Sequence, residues 1–303
     1  MSYGIEGSTE TDNRQRLAAM VVRVSAGLGY FCKVSADQVE LSGNGLSGWM
    51  LNLENLYRKV AGEPQDQWHA LVTDHLSTLL SAIDLATETP LDTDNFEQLR
   101  PLIRTRIYPE NMQVGFAPVV SRILAPGLVQ RVVLDQVNTI VPVTHDHLSR
   151  WPVEEPELFD LAEANTRGDG LLEVTDIDND SGETIIGLHG SSDYASAHIR
   201  WLGAYPVAGR WGAAFVVPCE GMIYVHPLNG TDAFVTVGTL AQTAAIAHAQ
   251  RPNPLSSSVY WWHDEMIHLA AVVEESYESL GLHVSPDFQK VMEDIAEQTD
   301  DVP

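Results

Sequence analysis

The stretch VVLDQVNTIVPVTHDHLSRWPVEEPELFDLAEANTRGDGLLEVTDIDNDSGETIIGLHGSSDYASAHIRWLGAYPVAGRWGAAFVVPCEGMIYVHP, residues 132–227, decides how this chain is read. It opens with a β-rich run from Val132. Thr144 then offers a side-chain cap to a short acidic helix through Leu148 and Trp151. Pro156 sits in the first turn of the next helix, Leu158, Phe159, Leu161 and Ala162 form its apolar face, and Asn165 and Gly168 mark its end. Leu171–Val174 and Thr184–Leu188 flank an aspartate-rich tip, and Ala213–Val217 and Met222–Val225 flank Glu220-Gly221, so both pairs read as hairpins. Between them Ser191 or Ser192 caps a helix that places Tyr194, Ala197, His198 and Trp201 on one face. Hairpins alternating with helices predict an α+β fold: antiparallel sheets built from hairpins, covered by amphipathic helices.

Upstream, Pro126-Gly127 supplies a turn in which proline presets φ and glycine accepts a positive φ, so Val119–Leu124 and Leu128–Val137 pair as a hairpin. Ile103–Tyr108 alternates as a half-exposed strand with Arg104 and Arg106 on one side. Thr87–Asn95, with Pro90 and three acids, reads as a linker. It divides a mostly helical region with a short hairpin, residues 1–90, from the α+β module of residues 91–303. In the first region the residues before Thr11 carry little hydrophobicity and are expected to be mobile, Asp12 caps a helix, and Leu17, Met20, Val21, Val24 and Leu28 form its stripe. A hairpin follows at Tyr30–Val34 and Val39–Leu41, then a helix over Leu51–Val60, then a longer one with Pro64 in its first turn and Trp68, Leu71, Val72, His75, Leu76, Leu79 and Ile83 on its apolar face. Downstream, Thr231 or Asp232 caps a helix with the stripe Phe234, Val237, Leu240, Ala241, Ala244 and Ala245, which His248 continues as a helix-end residue. Val259–His263 and Met266–Val272 form a final hairpin around Asp264-Glu265, and Ser285-Pro286 opens a terminal helix with Phe288, Val291, Met292 and Ile295.

Composition bounds the function. The chain has 303 residues, 44% of them hydrophobic, and a formal charge of −25, with lysine only at Lys33, Lys59 and Lys290. Such a field repels nucleic-acid phosphates and anionic membranes and favours cationic ligands or basic protein partners, the plainer reading being that acidity dispersed without a block serves solubility alone. No apolar run approaches the roughly 20 residues of a membrane span, and the N-terminus lacks signal-peptide character, so the expectation is a cytoplasmic protein. Cys32 and Cys219 fit no metal or redox spacing and read as buried thiols.

Gly43-Asn44-Gly45-Leu46-Ser47-Gly48 matches the spacing of a dinucleotide fingerprint. It follows a strand carrying Asp37, Gln38 and Glu40 instead of a buried parallel one, which favours a plain turn. The aspartates from Asp176 to Asp180 invite calcium, yet Ser181 and Gly187 stand where a calcium loop needs glycine and a bidentate glutamate. His145-Asp146-His147 has the spacing that aligns two imidazoles along an extended strand, so His145 and His147 are the candidate metal ligands. His263 and His268, five apart, are not expected to converge. His189, Ser191, Ser192 and Asp193 have the residue types of a hydrolytic site, though helix capping explains the serines more simply. His75 reads as a core histidine, and Arg100, Arg104 and Arg106 as neutralising nearby acids.

Asn52-Leu53-Glu54-Asn55-Leu56-Tyr57-Arg58, the strand Val132–Asp135 running into Thr144–Leu148, the helix Pro156–Asn165, Ala195-Ser196-Ala197 and Val217-Pro218-Cys219-Glu220 together resemble the uncharacterised bacterial family typified by the Bacillus protein YtpQ, over about two-thirds of the chain. The resemblance implies a bacterial cytoplasmic α+β protein with no established activity, and so no catalytic residues or cofactor to carry over.

These readings converge on a non-catalytic protein-binding protein, chaperone-, immunity- or adaptor-like, whose acidic surface holds a more basic partner. Trp201, Trp211, Trp261 and Trp262 are the expected exposed partner-binding aromatics, and a homodimer through the tryptophan-rich final hairpin is compatible with this. The alternative is a metal-dependent hydrolase built on the His145/His147 cluster.

Overall fold

The computed structural model describes residues 3–35, 38–43, 46–88, 91–112, 117–136, 139–177, 184–190, 192–231, 233–275 and 280–300. The chain divides into two compact units, Met1–Leu91 with Val137–Thr139, and Asp92–Gln136 with Ile140–Pro303.

The first unit runs α1 (Tyr3–Gly27), β1 (Phe31–Ser35), β2 (Gln38–Gly43), β3 (Leu46–Asn52), α2 (Leu53–Ala61) and α3 (Trp68–Glu88). The strands form an antiparallel meander with Val34 opposite Val39 and Gly43 opposite Leu46. Val39 and Leu41 point into a core completed by Leu17, Val21, Leu56, Val60, Val72 and Leu76, while Gln38 and Glu40 face outward, the alternation that a one-sided sheet imposes. Tyr30 donates to the Asp84 carboxylate at 2.9 Å and Trp68 Nε1 to the Glu63 carbonyl at 3.0 Å, tying the loops before β1 and α3 to this core.

Three expectations are corrected here. The first helix begins at Tyr3, so Asp12 lies within it and caps nothing. The short hairpin is a three-stranded meander: the glycine-rich segment joins antiparallel strands, and Leu51 and Asn52 end β3 instead of starting a helix. Gly43 sits at φ +127° against the Tyr30 backbone, where a side chain would be strained. Asn44 and Gly45 lie outside the described residues. Pro64 stands ahead of α3, in a turn closed by the Gln67 amide donating to the Pro64 carbonyl.

The second unit continues with α4 (Phe96–Leu99), β4 (Ile103–Pro109), β5 (Ser121–Ala125), β6 (Leu128–Gln136), β7 (Thr139–Pro142), α5 (His145–Arg150), α6 (Glu155–Gly168), β8 (Glu173–Ile177), β9 (Ile185–His189), a 3-10 helix (Ala195–Ala204), β10 (Ala213–Cys219), β11 (Met222–Pro227), α7 (Ala233–Gln250), β12 (Val259–His263), β13 (Met266–Glu275), β14 (Leu280–Val284) and α8 (Pro286–Asp300). A seven-stranded antiparallel sheet has the order β14-β13-β12-β10-β11-β9-β8. A smaller sheet has the order β4-β6-β5, with β7 also on β6. The α+β architecture with hairpin-built antiparallel sheets and covering helices is thus the observed one.

Residues of β10 alternate between two cores. Ala213, Phe215 and Val217 face the 3-10 helix side with Ile199, Trp201 and Leu202, and Ala214 and Val216 face α7 and α8 with Val237, Leu240 and Phe288. Burial on both faces explains why this strand is apolar throughout. The turns are local chemistry. Ala125 opposes Leu128 across Pro126-Gly127, where Gly127 has φ +83°. His263 opposes Met266 across Asp264 and Glu265, both left-handed at φ 48° and 62°, the geometry of a tight hairpin turn. The terminal helix opens as expected, with the Phe288 amide donating to Ser285 Oγ at 3.2 Å.

Several details differ from expectation. Phe234 is half exposed, and Ala233 and Thr236 take its place in the buried stripe of α7. A further strand, β14, extends the final hairpin into a three-stranded edge. Strand β4 is covered on both faces instead of half exposed, because α6 packs on one side and the loops around Tyr194 and Glu220 on the other. Among the described residues, no helix is long and apolar enough to cross a membrane.

Candidate functional site

Of the four aromatics expected at the surface, two are core residues and two are half-buried. Trp201 and Trp262 are only 5% and 8% exposed, and Trp211 and Trp261 are half-buried against the second core. The reason is packing. An added Cβ at Gly203 would stand 2.9 Å from the Trp262 ring, so the glycine admits the indole, and Trp261 Nε1 donates to the Trp211 carbonyl at 2.8 Å. The final hairpin is therefore not the exposed aromatic patch expected of a partner or homodimer surface.

His145 is exposed, whereas His147 closes a capping box. Its amide donates to Thr144 Oγ1, its Nδ1 accepts from the Thr144 amide, both at 3.2 Å, and its ring stacks on Trp151. His263 and His268 each lie against Trp261. The two-residue turn sets Trp261 opposite His268, and both ring centroids lie 5.2 Å from that of Trp261, His263 stacked and His268 tilted. Among the described residues no three His, Cys, Asp or Glu side chains converge as a metal site. Asp178–Gly182 and Ser191 lie outside the described residues. Ser192 Oγ accepts from the Tyr194 amide at 3.1 Å, a local turn, and Tyr194 precedes the 3-10 helix without a side-chain cap. Cys219 is buried and Cys32 half-buried, and burial pushes both thiols up.

The densest chemistry lies on one face of the small sheet. In antiparallel strands, directly opposed residues share a face. Arg106 opposes Arg131 and Tyr108 opposes Val129 across β4 and β6, and β5 adds Ser121 opposite Arg131 and Ile123 opposite Val129. Arg106 pairs with the half-buried Glu220 carboxylate, whose other oxygen accepts from Asn253 Nδ2 at 2.9 Å. Both guanidiniums lie over the Tyr108 ring, Arg106 at 5.4 Å and Arg131 at 4.8 Å. Burial pushes the Glu220 carboxyl up against the opposing pull of Arg106, and Asp193 adds to the rise. Burial and the neighbouring Asp135 hold the Tyr194 phenol protonated. The opposite face of the sheet is closed by α6. There Glu163 accepts from Arg122 at 2.6 Å, Gln130 at 2.9 Å and Arg200 at 3.1 Å, which together hold it ionised despite burial.

Arg104 and Arg106 neutralise acids as expected, Arg104 through Asp169 at 2.7 Å. Arg131 was not legible as a site residue. Its only signal is that Gln130-Arg131 interrupts the apolar run Leu128–Leu134, and its meaning depends on register.

A second buried polar group is His198 in the 3-10 helix. Its Nδ1 accepts from Trp201 Nε1 at 3.1 Å and from the Tyr205 hydroxyl, which itself accepts from the Leu172 amide at 3.0 Å. Burial, reinforced by Arg167, lowers the His198 pKa from 6.5 to about 4. The unfolded chain therefore binds this proton first as pH falls. Stability contributed by neutral His198 is complete above 6.5 and is lost as pH falls to about 4. The expected loss is at most about 3 kcal/mol, read by urea denaturation at stepped pH. A His198→Gln variant, having no imidazole, should lack this component, and an unchanged pH profile in the variant would contradict the assignment.

Compared with protein-family models, curated proteins and solved structures, the chain matches none of them.

Proposed function

We propose that this is a non-catalytic, cytoplasmic protein-binding protein, chaperone-, immunity- or adaptor-like, that holds a more basic protein partner against its acidic surface. The observation that carries this reading is how the few cations are used. Arg14, Arg58, Arg104, Arg106, Arg122 and Arg150 each face a carboxylate of the same chain. Each such pair removes one of the 17 Lys and Arg from what a partner meets, against 42 Asp and Glu, so the net −25 favours a basic partner. A surface of one sign steers partners of the other and rejects nucleic acid and anionic lipid. The kinship proposed with the YtpQ-typified family is consistent with this reading and adds no activity to it.

Capture from a cell lysate at low salt tests the reading. Proteins more basic than the input should be retained and released by raised salt. Retention of nothing salt-sensitive, or of proteins as acidic as the input, would count against it.

A further inference from the structure

On the face of the small sheet that bears Tyr108, two buried arginines hold N–H groups that meet no acceptor among the described residues. Arg131 is 6% exposed, yet among the described residues its Nε and Nη1 have no hydrogen-bond partner, and its Nη2 donates to the Met112 carbonyl. Among the described residues it makes no ion pair, and its neighbouring π-face is Tyr108. Arg106, 9% exposed, spends its Nη2 on Glu220 while its Nε is likewise unsatisfied. A buried guanidinium without a carboxylate is costly, and an unmet buried donor adds to the cost. Buried polar groups are ordinarily satisfied, and even the part-exposed Arg122 on the other face is met by Glu163. The face opens at β5, where Ser121 opposite Arg131 and Ile123 beside it are exposed, Ile123 at 71%.

We propose that Arg131 and Arg106 form an oxyanion-binding site that takes a carboxylate or phosphate group entering over Ser121 and Ile123. The guanidinium fork presents parallel N–H donors that suit both groups. The exposed Ile123 side chain would lie beside any apolar body attached to the anion. The site is independent of the acidic surface proposed for partner binding, because its ligand is an anion and its residues are buried.

The test is thermal denaturation of the full chain at constant ionic strength, with chloride exchanged for inorganic phosphate, or with a short peptide bearing a free C-terminal carboxylate set against its C-terminal amide. A saturable rise in Tm is expected, since a ligand bound only by the folded state stabilises it. A rise with phosphate alone assigns a phosphate ligand, and a rise with the free-acid peptide but not the amide assigns a carboxylate. Arg131→Lys keeps the charge, loses the fork and should weaken apparent affinity about tenfold or more. Ser121→Asp leaves the buried residues intact and supplies a carboxylate from the facing position. It should raise Tm without added anion and abolish the response to phosphate or peptide. No saturable response to either ligand, or an undiminished response in Ser121→Asp, would overturn the proposal.

Discussion

Arg106→Leu is expected to lower stability by up to about 3 kcal/mol, because it leaves the half-buried Glu220 carboxylate without its cation. The strand that carries Arg106 cannot move to re-expose the carboxylate, since β4 is held along its length by β6 from Ile103 opposite Leu134 to Pro109 opposite Leu128. Glu220 would retain Asn253 as a donor, which does not supply a charge. Replacing both partners, Arg106→Leu with Glu220→Leu, should recover most of the loss, as apolar pairs of similar size often match buried ion pairs. Urea denaturation of the two single variants and the double variant closes a mutant cycle. Additive losses would mean that the two groups are not coupled. The sign with pH is also fixed: burial raises the Glu220 carboxyl, so in Arg106→Leu the deficit should shrink as pH falls and the orphaned carboxyl takes up a proton.

Phe215→Ala is expected to cost about 3–5 kcal/mol, the range for emptying a large aromatic site in a packed core. Phe215 is fully buried on the central strand β10 and stacks on Tyr260 at 5.5 Å. Tyr260 in turn donates to the Pro126 carbonyl at 3.1 Å, linking β12 to the turn between β5 and β6. A cavity at Phe215 therefore loosens the support of the small sheet as well as the large one. Phe234→Ala, in the apolar stripe read from the sequence of α7, should change stability by less than about 0.5 kcal/mol, because the ring is half exposed. Equal losses at the two positions would contradict the assignment of the core.

That contrast shows what the sequence could and could not reveal. Hairpins at Pro126-Gly127, Glu220-Gly221 and Asp264-Glu265 were legible because turns depend on a few adjacent residues. The α6 and α8 stripes were legible because a strong 3.6-residue period survives any packing arrangement. Strand β3 was missed because Gly48 within it reads as a turn residue and the Asn52–Arg58 helical pattern overlaps its end. The early start of α1 was missed because the residues before Thr11 carry too little hydrophobicity to mark a helical face. Burial of Trp201 and Trp262 was not legible, since it is set by Gly203 and by strands distant in sequence. The alignment of Arg106 with Arg131 is a matter of strand register, which neither strand encodes alone.

The acidic surface is the centre of this account, and its affinity for a lysine- and arginine-rich polypeptide across a salt series tests it most directly. Binding should be tighter than that of an unrelated protein of equal net charge, and should weaken steadily as salt rises. Binding no tighter than the control, or unaffected by salt, would contradict the account.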